Sequence, residues 1–70
     1  MSARRLRVGD HVHYYILNNR WNAVVIEDRG DLGADGQQIV RIELTDADYA
    51  GDPPSRFEFP AEELALDQAA

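Results

Sequence analysis

The alternation of apolar and polar side chains along this chain predicts four extended segments separated by turn-forming residues, with a brief fifth at the end. The first runs from about Val8 to Leu17. Val8-Gly9-Asp10 is a turn-prone opening, and His11 and His13 then alternate with Val12 and Tyr14 at the period of a half-buried strand. Asn18-Asn19-Arg20 interrupts it, because asparagine tolerates left-handed backbone and makes side-chain turns. Trp21 to Asp28 forms the second segment. Trp21, Ala23 and Val25 share one face, and Val24 and Ile26 share the other, which predicts a central strand covered at least partly on both sides. Arg29 to Gly36 is a loop with glycines at 30, 33 and 36.

The third segment, Gln37 to Leu44, sets Val40, Ile42 and Leu44 against Arg41 and Glu43. A second polar loop, Thr45 to Ser55, carries Asp46, Asp48, Asp52, Tyr49 and Pro53-Pro54. The fourth segment, Arg56 to Phe59, puts Phe57 and Phe59 on one face and Glu58 on the other. Pro60 ends its ladder. Pro60 to Leu64 suits a short helical turn, with proline at its start and acids in its first turn, and Leu66 begins the brief fifth strand. The expected architecture is all-β: a small five-stranded barrel over residues 6–66, with flexible ends at 1–5 and 67–70. The expected core is Val12, Tyr14, Ala23, Val25, Val40, Ile42, Leu44, Phe57, Phe59 and Leu64. Phe57→Ala is expected to cost about 3–5 kcal/mol.

Seventy residues make one domain with a marginal core. With no cysteine, neither disulfides nor thiolate metal sites stabilise it, which fits a reducing, cytoplasmic setting. No apolar run reaches the roughly 20 residues that a membrane helix needs. Thirteen acids against seven arginines give a formal net charge of −6, and lysine is absent. That balance keeps the chain soluble, repels nucleic-acid phosphates over most of the surface and favours a basic partner where it favours any.

The order of these pieces resembles a known fold. Leu6-Arg7-Val8-Gly9-Asp10-His11-Val12 is similar to the opening of many SH3-like barrels. Trp21-Asn22-Ala23-Val24-Val25 resembles the second strand of Tudor-like domains, and Phe59-Pro60-Ala61-Glu62-Glu63-Leu64 resembles their closing strand and helical turn. The resemblance spans about Leu6 to Leu66 and implies a barrel without implying one function. Type II dihydrofolate reductases share the Gly-Asp start and the tryptophan after a short turn. Their Val-Gln-Ile-Tyr strand is replaced here by Arg56-Phe57-Glu58-Phe59, a departure that leaves a folate reductase only as a second alternative.

Candidate chemistry is sparse. His11 and His13 lie on one strand face, but two imidazoles with no third ligand marked by spacing are not expected to hold a metal. The acidic loops lack the ligand order of a helical calcium loop. Ser2 and Ser55 have no marked base, and Glu62 and Glu63 point to different sides of their turn, so no catalytic residue and no cofactor is expected. Five aromatic residues, Tyr14, Tyr15, Trp21, Tyr49 and Phe57, converge at one barrel end in the Tudor-like arrangement, where they either form a cage for a cationic group or simply close the core. The preferred expectation is a non-catalytic module that docks a protein or peptide through Tyr15, Trp21 and Tyr49, rimmed by Asp46 and Asp48. The alternative is a nucleic-acid-associated barrel using Arg4, Arg5, Arg7 and Arg20. A homodimer through Val24 and Ile26 is compatible with either.

Overall fold

The computed structural model describes residues 5–45 and 55–70, so the candidate residues Arg4, Asp46, Asp48, Tyr49 and Asp52 lie outside the described residues. The described chain is all-β, as the periodicity predicts: β1 (His11–Ile16), β2 (Asn19–Asp28), β3 (Ile39–Leu44), β4 (Arg56–Pro60) and β5 (Ala65–Gln68). All pairings are antiparallel, in the order β4-β3-β2-β1-β5. Consecutive strands are neighbours up to β4. A 3-10 turn at Ala61–Glu63 then carries the chain across to place β5 against β1. The described pairings form one open sheet with β4 and β5 at its edges, in place of the closed ring of strands that was expected. Among the described residues no helix is long and apolar enough to cross a membrane.

One face of the sheet is the core face. Val12, Tyr14, Ala23, Val25, Val40, Ile42 and Leu64 are buried on it, with Trp21, Leu44, Phe59 and Ala61 partly buried against them. The register explains the set: Val12 is opposite Ala23, Tyr14 opposite Trp21, Val25 opposite Ile42 and Val40 opposite Phe59, so the apolar side of each strand meets the apolar side of the next. Phe57 departs from expectation. It lies on this face opposite Ile42 but stands on the edge strand and remains 46% exposed. Its truncation therefore costs far less than the 3–5 kcal/mol of a core phenylalanine, because little apolar surface returns to water.

Two further expectations change. A bulge in β2 places Ile26 between the pairs Val25–Ile42 and Glu27–Arg41, which breaks the alternation that put Val24 and Ile26 on one outward stripe. Residues 67–70, expected as a loose end, are engaged: Asp67 and Gln68 belong to β5, and the Ala70 N–H donates to Asp10 Oδ1 at 2.9 Å.

The two buried polar residues organise the rest. Asp10 is fully buried. Arg7 C=O accepts from Asp10 N–H at 3.0 Å, closing a β-turn whose third residue is Gly9 at φ +95°, the position that favours glycine. The Asp10 carboxylate takes the Arg7 N–H at 2.8 Å on one oxygen and the Ala70 N–H on the other. The backbone of the same turn joins β2 through Gly9 N–H to Val25 C=O at 2.8 Å and Val25 N–H to Asp10 C=O at 2.9 Å. Gln38 does for residue 6 what a strand neighbour would do: its side-chain oxygen accepts from Leu6 N–H at 3.0 Å, and its amide donates to Leu6 C=O at 2.8 Å. This holds Leu6 in the core, a position that periodicity did not mark because it precedes any strand.

Asp10→Ala removes the buried carboxylate that two part-buried backbone N–H donors now meet, and is expected to lower unfolding free energy by about 2 kcal/mol. Urea unfolding followed by circular dichroism checks it. A change below about 0.5 kcal/mol would mean that water replaces both bonds without loss.

Candidate functional site

The end of the β1–β2 hairpin carries three consecutive exposed apolar residues, Tyr15, Ile16 and Leu17. Pairing of Ile16 with Asn19 leaves a two-residue loop, Leu17-Asn18. The loop was expected at Asn18-Asn19-Arg20, with Leu17 still in the strand. The observed loop is one residue shorter, and this shift in pairing decides which side chains share a face. Trp21 faces Tyr14 across the hairpin, and Tyr15 faces Arg20. Tyr15 and Trp21 therefore lie on opposite sides of the sheet, and the single docking face expected to hold both is not formed.

The two residues have separate surroundings. Trp21 packs on the core, its Nε1 buried with no hydrogen-bond partner among the described residues. Tyr14, beside it, lies 4.8 Å from Phe59 between ring centroids, and burial raises the pKa of its phenol. Tyr14, Trp21 and Phe59 thus belong to the core, with Phe57 at its margin 6.5 Å from Phe59.

Tyr15 is 59% exposed, Ile16 52% and Leu17 90%. Leu17 takes φ +57°, a left-handed conformation in which its Cβ crowds the following carbonyl. Asn18, the residue type suited to that conformation, stands one position later. The hairpin thus holds a bulky apolar side chain outward at a conformational cost. Beside the tip, His13 meets Tyr15 edge to face at 5.5 Å, and its Nδ1 lies 2.7 Å from Asp67 Oδ1. Arg20 donates to Asp67 Oδ2 at 3.1 Å and to Asn22 Oδ1 at 2.9 Å. This cluster clamps β5 onto the hairpin base and gives Tyr15 a fixed backing. No group of three or more metal-ligating side chains occurs among the described residues, and His11 and His13 gain no third ligand from them.

Arginines of the nucleic-acid alternative are largely committed elsewhere. Arg5 bonds Asp31 at 2.6 Å and lies 3.8 Å from Asp28. The Asp31 hydrogen bond and charge raise the Arg5 pKa. Arg20 is held by Asp67. Among the described residues, Arg7 is the arginine with no ion pair, and it is exposed. Arg29, just past β2, lies 3.5 Å from Glu27 and 3.4 Å from Glu58, Arg41 lies 4.0 Å from Glu27, and Arg56 lies 3.0 Å from Glu43. Among the described residues, five of the six arginines thus have a carboxylate within 4.0 Å.

Comparison with known proteins gives no family model, no curated protein and no solved structure that matches this chain.

Leu17→Asn should raise stability by about 0.5–1 kcal/mol, since it removes left-handed strain at a side chain that buries almost nothing. Thermal unfolding measures this, and a lower midpoint would show that Leu17 contributes packing. The Asp28 carboxyl gives a pH prediction. The Gly30 N–H, then the Gln38 side chain and more weakly Arg5, hold its pKa below the ordinary carboxylate value. A depressed folded pKa means that the stabilisation is present above the unfolded value, near pH 4, and is lost as pH falls through the lower folded value. Asp28→Asn should reduce stability at pH 7 but flatten its fall between about pH 5 and pH 2. Parallel acid limbs for the two proteins would contradict this.

Proposed function

We propose that this chain is a non-catalytic binding module of the SH3-like type, which docks a partner protein through the tip of its β1–β2 hairpin. The observation that carries the reading is Leu17: an apolar side chain 90% exposed at φ +57°, next to exposed Tyr15 and Ile16. Exposed apolar clusters and strained backbone both concentrate where a surface is used. The tyrosine is of the type that dominates binding energy at interfaces, and its backing by His13 and Asp67 pre-orders it. The strand order and the 3-10 turn between β4 and β5 support the SH3-like resemblance. The acidic charge, with most described arginines already paired, favours a partner surface that is neutral or basic around an apolar centre. The cysteine-free composition accords with a cytoplasmic setting.

Affinity capture with immobilised protein tests this. The variant Tyr15→Ser, Leu17→Asn should lose partner recovery by about tenfold or more while remaining folded, and Arg7→Ala should retain it. Equal recovery by the tip variant would overturn the reading. Loss confined to Arg7→Ala, with steep weakening by salt, would favour nucleic acid instead.

A further inference from the structure

The edge strand β4 is complementary to a second copy of itself, and we propose that the chain dimerises by antiparallel β4–β4 pairing centred on Phe57. Two backbone bonds fix which groups of β4 point outward. Leu44 N–H donates to Ser55 C=O at 2.9 Å, and Ala61 N–H donates to Gln38 C=O at 2.8 Å. Both join residues in the same register as the β3–β4 ladder, where Ile42 faces Phe57 and Val40 faces Phe59. In an antiparallel ladder hydrogen-bonded and non-bonded pairs alternate. Phe57 and Phe59 therefore turn their N–H and C=O groups toward β3, and Arg56 and Glu58 turn theirs away. Pro60, which has no N–H, falls at an outward position, where β3 asks nothing of it. Among the described residues β4 has no neighbour on that outward side.

A two-fold axis at Phe57 sets Arg56 of one copy opposite Glu58 of the other, and Glu58 opposite Arg56. The outward groups of these residues then form four interchain backbone hydrogen bonds in two bonded pairs. Their side chains meet as two opposite charges on the outer face. There Arg56 already lies 3.0 Å from Glu43, and Glu58 lies 3.4 Å from Arg29, so the new pairs extend an existing checkerboard of charge. Between them the two Phe57 side chains become a non-bonded cross-strand pair, the closer of the two spacings, on the core face. That contact covers the aromatic ring that the single copy leaves 46% exposed. Charges on an edge strand ordinarily deter pairing. Here the order Arg-Phe-Glu deters every register that brings like charges together and admits this one. The interface is isologous and therefore closed at two copies.

Sedimentation equilibrium up to about 1 mM protein should show a monomer–dimer equilibrium in the wild type. Arg56→Glu alone and Glu58→Arg alone place like charges in both pairs, and each should weaken the dimer by about tenfold or more. An equimolar mixture of these two variants restores both opposite-charge pairs and should regain the dimer as a heterodimer. This controls for any folding defect in either variant. In the otherwise cysteine-free chain, Phe57→Cys should form an interchain disulfide on mild oxidation, because a non-bonded pair holds its Cα atoms about 4.5 Å apart. A wild type that stays monomeric at the highest concentration, or a dimer indifferent to the charge changes, would overturn the proposal.

Discussion

The buried carboxylate of Asp10 is the constraint on which the rest of the structure depends. Among the described residues the five-stranded sheet has no α-helix to cover it, and a chain without cysteine has no disulfide to close it. Its first and last segments must be tied to the middle by polar contacts. Asp10 does this from inside: one oxygen holds the turn at Arg7, the other holds Ala70, and its own backbone carbonyl begins the pairing to β2 at Val25. A carboxylate out of contact with water is tolerated only when its oxygens are occupied, and here backbone donors from both ends of the described chain occupy them. Gly9 belongs to the same device. Its φ of +95° makes the turn, and an added Cβ would stand 2.9 Å from the Cβ of Ala70, so the residue before the carboxylate must be small as well as left-handed.

With the ends fixed in this way, the hairpin tip and the β4 edge stand among the outward features. They differ in chemistry. The tip is apolar and conformationally costly, with its neighbours His13, Asp67 and Arg20 bound to one another. The edge is amphiphilic, with an aromatic residue between opposite charges. They belong to different strands, one at the turn joining β1 to β2 and the other beyond β3, so a module that pairs with itself through β4 would keep the tip free for a different partner. A two-copy arrangement would then present two tips, and binding to a repeated partner would gain from multivalency.

Strand existence and the helical turn after Pro60 were legible in the chain because periodicity two and the local preference of proline act over a few residues. The core positions Val12, Tyr14, Ala23, Val25, Val40, Ile42 and Leu64 follow from that alternation. The failures are instructive. Phe57 shares the apolar face but not its burial, since exposure depends on being at the edge of the sheet, which alternation does not encode. Leu6 and Gln38 are buried through a side-chain mimic of strand pairing across 32 residues of sequence, for which no local pattern exists. The bulge at Ile26 resets parity within a run that reads as uniformly apolar.

The sequence by itself determined the all-β class and the segments that extend, because these depend on residue types and on neighbours a few positions apart. Only the tertiary structure decided which candidates meet. The hairpin register, set by a two-residue loop at Leu17-Asn18, sent Tyr15 to the outer face and Trp21 to the core. The pairing of β5 with β1 brought Asp67 to His13 and Arg20, more than 40 residues away in sequence. In a sheet, one residue of register exchanges the two faces, and the energy that chooses the register comes from packing between strands distant in the chain.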